Sequence, residues 1–173
     1  FSGLVADFVM ARKEVGYMEG TRRPILELGT LEDDLLRRDF TLNALAEDED
    51  GNIIDLFGGI EDLKMGILRT PMDARITLMD DPLRILRALR FTITKDFSMS
   101  DDIWEAMKQE GILKKLELSV SGQRIREEID KMMRFNTTRS FRLLMDVDTF
   151  TIPGFLELIF KDGMWLEPTF EKR

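Results

Sequence analysis

The chain has 173 residues, 43% of them hydrophobic, which is enough for one ordinary domain or two small ones with a real core. It contains no cysteine and no histidine, which excludes disulfides, thiolate metal sites, the usual general base and the usual zinc ligand, and fits the cytoplasm. A formal net charge of −8 argues against a protein that grips a polyanion over its whole surface, and no apolar run approaches the length needed to cross a bilayer.

Phe1-Ser2-Gly3-Leu4 has neither the charged nor the apolar part of a signal peptide and no initiating Met, so the sequence reads as a piece of something longer. Residues 1–30 read as strand material, with Leu4–Met10 as a short β-rich run and Gly16, Gly20 and Pro24 punctuating the turns after it. Thr30 is placed to cap a helix whose first turn carries Glu32, Asp33 and Asp34, and this helix is expected to present Arg37, Arg38 and Asp39 together. Asp50-Gly51-Asn52 signals a turn, and Ile53–Phe57 reads as the last strand of consequence, leading into Gly58-Gly59. From about residue 73 the apolar spacing is helical. Leu83, Ile85, Leu86 and Leu89 form one stripe, Ile103, Met107 and Ile112 suggest a second helix, and Ile125, Ile129, Met132 and Met133 a third that begins at Ser121 or Gly122. Phe155–Phe160 is a fourth, stopped by Asp162-Gly163. The expected architecture is an α/β piece over 1–72 followed by an all-helical piece over 73–173.

Polar residues recur in clusters that suit nucleotide chemistry. Arg37 and Arg38 offer fork-shaped donors to phosphate oxygens, Asp39 offers an acceptor to a ribose hydroxyl, and Asn43 follows; the same spacing also fits an exposed Asp34–Arg38 helix pair. Asp81 and Arg84, three residues apart on a helix, give an acceptor and a planar donor suited to the edge of a base, while Asp81-Pro82 equally resembles a helix cap. Asp80 precedes this pair, and Arg87 and Arg90 follow it, placed to contact phosphate or to brace the acidic face. Asp55, Gly58, Gly59 and Asp62 permit a bend between the two pieces, or a plain strand-to-helix turn.

Four segments, at 35–44, 55–63, 80–91 and 120–129, closely resemble in order and spacing motifs B to E of the class II tRNA nucleotidyltransferase and poly(A) polymerase family. The resemblance covers nearly the whole chain. It implies the later part of a nucleotidyltransferase head, a mixed sheet with helices, over 1–72, and a helical neck with the start of a body over 73–173. It implies that Arg38 and Asp39 hold sugar and phosphate, and that Asp81 and Arg84 act as a protein template that accepts CTP and ATP and rejects GTP and UTP. Asp80 stands where the family usually has Glu. The turn at Asp55, Gly58 and Gly59 would be a hinge, and the helix carrying Gln123, Arg124 and Glu128 a support for the pocket. Arg12, Glu14 and Tyr17 resemble a flexible loop of the family.

In that family a glycine-rich turn and an Asp-x-Asp pair precede the region where this sequence begins. The main Mg²⁺ ligands are therefore expected from an upstream segment or a second chain. Asp7 is either an auxiliary metal carboxylate or a solvated strand-edge residue, because two-metal transfer needs several carboxylates. The implied activity is template-independent addition of CMP and AMP, from CTP and ATP, to the 3′ end of tRNA. Poly(A) synthesis by the same motifs is one alternative, and a non-catalytic nucleotide- or RNA-end-binding half of a split or decayed enzyme is another.

Overall fold

The computed structural model describes residues 11–17 and 24–161; Asp7, the strand expected at Leu4–Met10 and the Asp162-Gly163 stop lie outside the described residues. Strand β1 (Arg12–Tyr17) pairs antiparallel with β2 (Pro24–Leu28), with a register irregularity between Glu14 and Gly16. The segment expected as a flexible loop around Arg12, Glu14 and Tyr17 is thus a paired strand. Gly16 lies at the irregularity inside it, and Pro24 takes the first position of β2, where a missing N–H is tolerated.

Helix α1 (Leu31–Leu36) begins as its sequence predicts. The Thr30 hydroxyl accepts from the Asp33 amide at 3.2 Å and the Asp33 carboxylate accepts from the Thr30 amide at 2.9 Å, while Glu32, Asp33 and Asp34 face the positive end of the helix dipole. Its end differs from expectation. The helix stops at Leu36, so Arg37, Arg38 and Asp39 do not share one helix but form the turn after it. The cause is Phe40, which adopts an extended backbone (φ −132°, ψ 152°) and drops fully into the core; Thr41 then opens a short 3-10 turn (Thr41–Asn43), its amide donating to the Arg69 carbonyl at 2.8 Å.

Strands β3 (Leu45–Glu47) and β4 (Ile53–Asp55) form an antiparallel hairpin, closed where the Asp48 carboxylate accepts from the amides of Asp50 and Asn52. Helix α2 (Gly59–Met65) follows. At its start the Asp55 carboxylate accepts from the amides of Phe57 (3.3 Å), Gly59 (2.8 Å) and Ile60 (2.9 Å), satisfying donors that a helix leaves open. Gly59 has a steric reason of its own: a Cβ there would overlap the Thr41 carbonyl oxygen and stand 3.2 Å from the Leu42 Cα. The two backbones meet because there is no side chain between them.

Strand β5 (Ile67–Leu68) pairs parallel with β6 (Ser98–Met99), so Ile53–Phe57 is not the last strand material. Between them lie α3 (Ala74–Asp80) and α4 (Leu83–Thr94), followed by α5 (Asp101–Met107) and α6 (Ile112–Ser119). The single helix suggested by Ile103, Met107 and Ile112 is divided at Gly111, whose φ of +79° falls in the left-handed region that favours glycine. Helix α7 (Gly122–Phe135) starts at a Ser121 cap, and α8 (Thr137–Phe150) and α9 (Phe155–Ile159) complete the helical part.

The apolar stripe predicted for α4 is buried at Leu83, Ile85, Leu86 and Leu89, and packs on Ile125, Ile129 and Met132 of α7. Each such side chain contributes about 1.5–3 kcal/mol on burial. One buried cluster runs from Phe40 and Leu68 through these helices to Ile159. Arg90, on α4, pairs with the buried Glu128 of α7 and lies 4.5 Å from the Phe91 ring centroid.

Burial pushes the Asp55 carboxyl upward, but the amides of Ile60, Gly59, Phe57 and Gly58 together outweigh that and hold it below the usual carboxylate value. A depressed folded-state value gives stability that is full above the ordinary Asp range and fades as pH falls through the lower folded value. Asp55→Ala is expected to cost about 1–2 kcal/mol at pH 7. In urea titrations the gap between variant and wild type should close on acidification below about pH 4.

Candidate functional site

The turn after α1, the start of α4 and the first turn of α7 enclose an open pocket of about 500 Å³. Five arginines line it (Arg37, Arg38, Arg84, Arg87 and Arg124) against two aspartates, Asp39 and Asp81, so a strongly acidic chain concentrates positive charge in one concavity. Asn43, Leu83 and Phe91 complete the lining.

The turn is shaped by local polar bonds. Asp34, on α1, pairs with Arg37 and, at 3.2 Å, with Arg38; Arg38 also donates to the Asn43 carbonyl at 3.2 Å. The Asp34–Arg38 pair of the plainer sequence reading therefore exists beside the pocket-lining position of the same arginine. Burial pushes the Asp34 carboxyl upward, and the two guanidinium groups outweigh it and hold the group below its usual value.

Asp39 is almost fully enclosed, and both its oxygens are engaged. Oδ1 accepts from the Phe40 amide at 2.9 Å and from Asn43 Nδ2 at 3.0 Å, while Oδ2 accepts from Arg87 Nε at 2.7 Å and pairs with its Nη2. Four donors saturate a carboxylate. In this arrangement Asp39 aligns Arg87 and Asn43 at the pocket wall.

Arg84 joins two elements: Nη1 donates to the Thr77 carbonyl of α3 at 3.0 Å and Nη2 to the Arg37 carbonyl. Asp81 sits between α3 and α4. Its Oδ1 accepts from the Leu83 amide at 3.2 Å, a capping bond, and its Oδ2 accepts from Arg124 at 3.0 Å. The capping and pocket-facing readings of Asp81 coexist, one on each oxygen.

Seven of the residues singled out from sequence for nucleotide contact thus lie on one pocket: Arg37, Arg38, Asp39, Asn43, Asp81, Arg84 and Arg87. Asp80 is exposed at the end of α3 and Arg90 faces Glu128; neither lines it. Asp55, Gly58 and Gly59 lie at the start of α2, outside the pocket lining. Arg124, expected only to support, is part of the wall, and Phe91 supplies an apolar surface. The placement of Arg124 follows from the packing of α7 on α4; its order in the sequence gives no sign of the contact with Asp81.

Arg87→Ala leaves the enclosed Asp39 carboxylate without its charged partner. Since breaking a buried pair from one side costs about 3–5 kcal/mol and Arg87 is partly exposed, a loss of about 2–3 kcal/mol is expected in denaturant unfolding. Replacing the exposed Asp80 by Ala should change stability by less than about 0.5 kcal/mol.

Comparison with known proteins gives a consistent picture. The family described as Poly A polymerase head domain matches residues 5–69. The CCA-adding enzyme of Lactobacillus helveticus is 38% identical over 149 residues, 84% of this chain and 36% of that protein. The crystal structure of the Bacillus stearothermophilus CCA-adding enzyme in complex with CTP superposes with a TM-score of 0.65 at 33% identity, covering 79% of this chain and 33% of that one. A tRNA nucleotidyltransferase complexed with a primer tRNA and an incoming ATP analog superposes with a TM-score of 0.63 at 34% identity, covering 81% and 40%. The chain spans 22% to 39% of the length of such curated relatives.

Proposed function

Because this chain belongs to the tRNA nucleotidyltransferase and poly(A) polymerase family, we propose that it serves a template-independent tRNA nucleotidyltransferase that adds CMP and AMP to tRNA 3′ ends. The observation that carries this reading is the pocket itself, where five arginines face Asp39 and Asp81. Arginine forks suit a triphosphate through bidentate, charge-assisted bonds. Asp81 and Arg84 supply an acceptor and a donor side by side. Cytosine and adenine present an exocyclic amino group where uracil and guanine present a carbonyl oxygen, so a carboxylate attracts the first two and repels the others.

The turn at Asp39 and Asn43 positions Arg87 toward sugar and phosphate, and the Asp55, Gly58 and Gly59 turn is the proposed hinge of the head. Among the described residues no group of three acidic or histidine side chains gathers to hold a metal. In this proposal Mg²⁺ would be held by carboxylates supplied from an upstream segment or a second chain, with Asp7 as an auxiliary ligand, and would supply charge stabilisation at the transferred phosphate. The tRNA 3′ end, the nucleoside triphosphates and a cytoplasmic setting belong to the same proposal; among the described residues no helix is long and apolar enough to cross a membrane.

Poly(A) synthesis is a second reading, favoured by the Poly A polymerase head domain match. Extension of a tRNA lacking its CCA end by the purified protein with Mg²⁺, read at single-nucleotide resolution, separates the readings. C, C and A added from CTP plus ATP support the first, and a long A tail from ATP alone supports the second. No addition reduces the chain to a binding half.

In a protein active in that assay, Arg84→Ala is expected to lower the preference for CTP and ATP over UTP and GTP by about tenfold or more, given about 1–3 kcal/mol per well-made base contact. Arg84→Lys, which lacks the planar fork, should not restore it. An unchanged preference in steady-state incorporation would remove Arg84 from base reading.

A further inference from the structure

We propose that Arg124 is a positioning residue for base selection, one that holds the Asp81 carboxylate away from Arg84 so that the two present separate acceptor and donor groups to an incoming base. The inference rests on the base-reading role proposed above for Asp81 and Arg84. A carboxylate and a guanidinium three residues apart are close enough to pair with each other, and such a pair would cancel both halves of the template.

The structure disposes of both groups differently. Among the described residues the ion pair of Asp81 is made with Arg124 of α7, at 3.0 Å, and not with Arg84. The other carboxylate oxygen is held by the Leu83 amide at 3.2 Å, so the carboxylate is fixed from two sides. Arg84 is drawn the other way, toward the carbonyls of Thr77 and Arg37.

Arg124 itself is firmly sited. It lies in the first turn of α7, its amide donating to the Ser121 hydroxyl at 3.4 Å, and α7 is anchored on α4 by buried Ile125 and by the Glu128–Arg90 pair. The Asp81–Arg124 pair is itself well exposed, with side-chain exposures of 33% and 49%, so it adds little to stability. Its effect is orientation: an arriving amino group meets a carboxylate already turned and held in place, and an arriving carbonyl meets the same carboxylate as a repulsive group.

The test is calorimetric titration of the purified 173-residue chain with CTP, ATP, UTP and GTP, as wild type, Arg84→Ala, Arg124→Ala and Arg124→Lys, with inorganic tripolyphosphate as a ligand that lacks a base. Arg124→Ala is expected to retain the wild-type melting temperature and to lower the CTP-over-UTP and ATP-over-GTP affinity ratios by about tenfold. Tripolyphosphate binding should weaken less than CTP binding, and Arg124→Lys should recover part of the ratio. Ratios unchanged in Arg124→Ala but lost in Arg84→Ala overturn this proposal and leave the base-reading role standing. A proportional loss for tripolyphosphate and CTP makes Arg124 a phosphate contact and also overturns it. A wild-type chain that binds all four nucleotides alike, or none, overturns the base-reading role and this proposal with it.

Discussion

Phe40 is fully enclosed and meets Phe91 edge to face, with ring centroids 5.8 Å apart and planes at 89°, and this contact clamps the turn after α1 onto α4. The polar geometry around it is a consequence. With Phe40 fixed, the neighbouring Asp39 falls within reach of Arg87, the Arg37 carbonyl within reach of Arg84, and Thr41 against the Arg69 carbonyl. Apolar burial supplies the free energy and is indifferent to direction; the hydrogen bonds that follow give the direction. The pocket is therefore built by a hydrophobic anchor with charged groups arranged about it.

The electrostatics follow the same division. Every pocket arginine already has a partner: Asp34 for Arg37 and Arg38, Asp39 for Arg87, Asp81 for Arg124, and main-chain carbonyls for Arg84. An uncompensated set of five guanidinium groups would repel itself apart. Partial neutralisation holds them together, and the exposed arginines keep donors for an anion because a guanidinium carries five N–H groups and a single carboxylate uses two or three. This explains how a chain with a net charge of −8 offers a site of the opposite sign.

What the sequence reveals and conceals divides along the range of the forces involved. The Thr30 cap, the Ser121 cap and the apolar stripes of α4 and α7 are local or periodic, and each is read correctly from neighbouring residues. The end of α1 at Leu36 is not, because Phe40 leaves the helix for a partner on α4, far along the chain. Helix α8 has no clear apolar stripe: Leu144 and Val147 are buried while Phe141, Met145 and Phe150 are exposed, so spacing gives no single face. Arg90 and Arg87 share a helix and a side-chain type, yet one meets Glu128 and the other Asp39, a difference of orientation that only the packing of α4 against α7 decides.

The small parallel pair of β5 and β6 carries more than its length suggests. The Ser98 amide donates to the Gly66 carbonyl at 2.8 Å and the Ser100 amide to the Leu68 carbonyl at 3.0 Å, so the chain from residue 69 to residue 97 leaves and returns at one place. Helices α3 and α4 are thereby a loop tied at its neck, and the entropy of closing it is met once, by those bonds and the contacts beneath them. Opening that neck lengthens the path between the two ends of the loop but leaves α4 packed on α7, so the spacing of Asp81 and Arg84 has two independent supports, one at the neck and one along the helix.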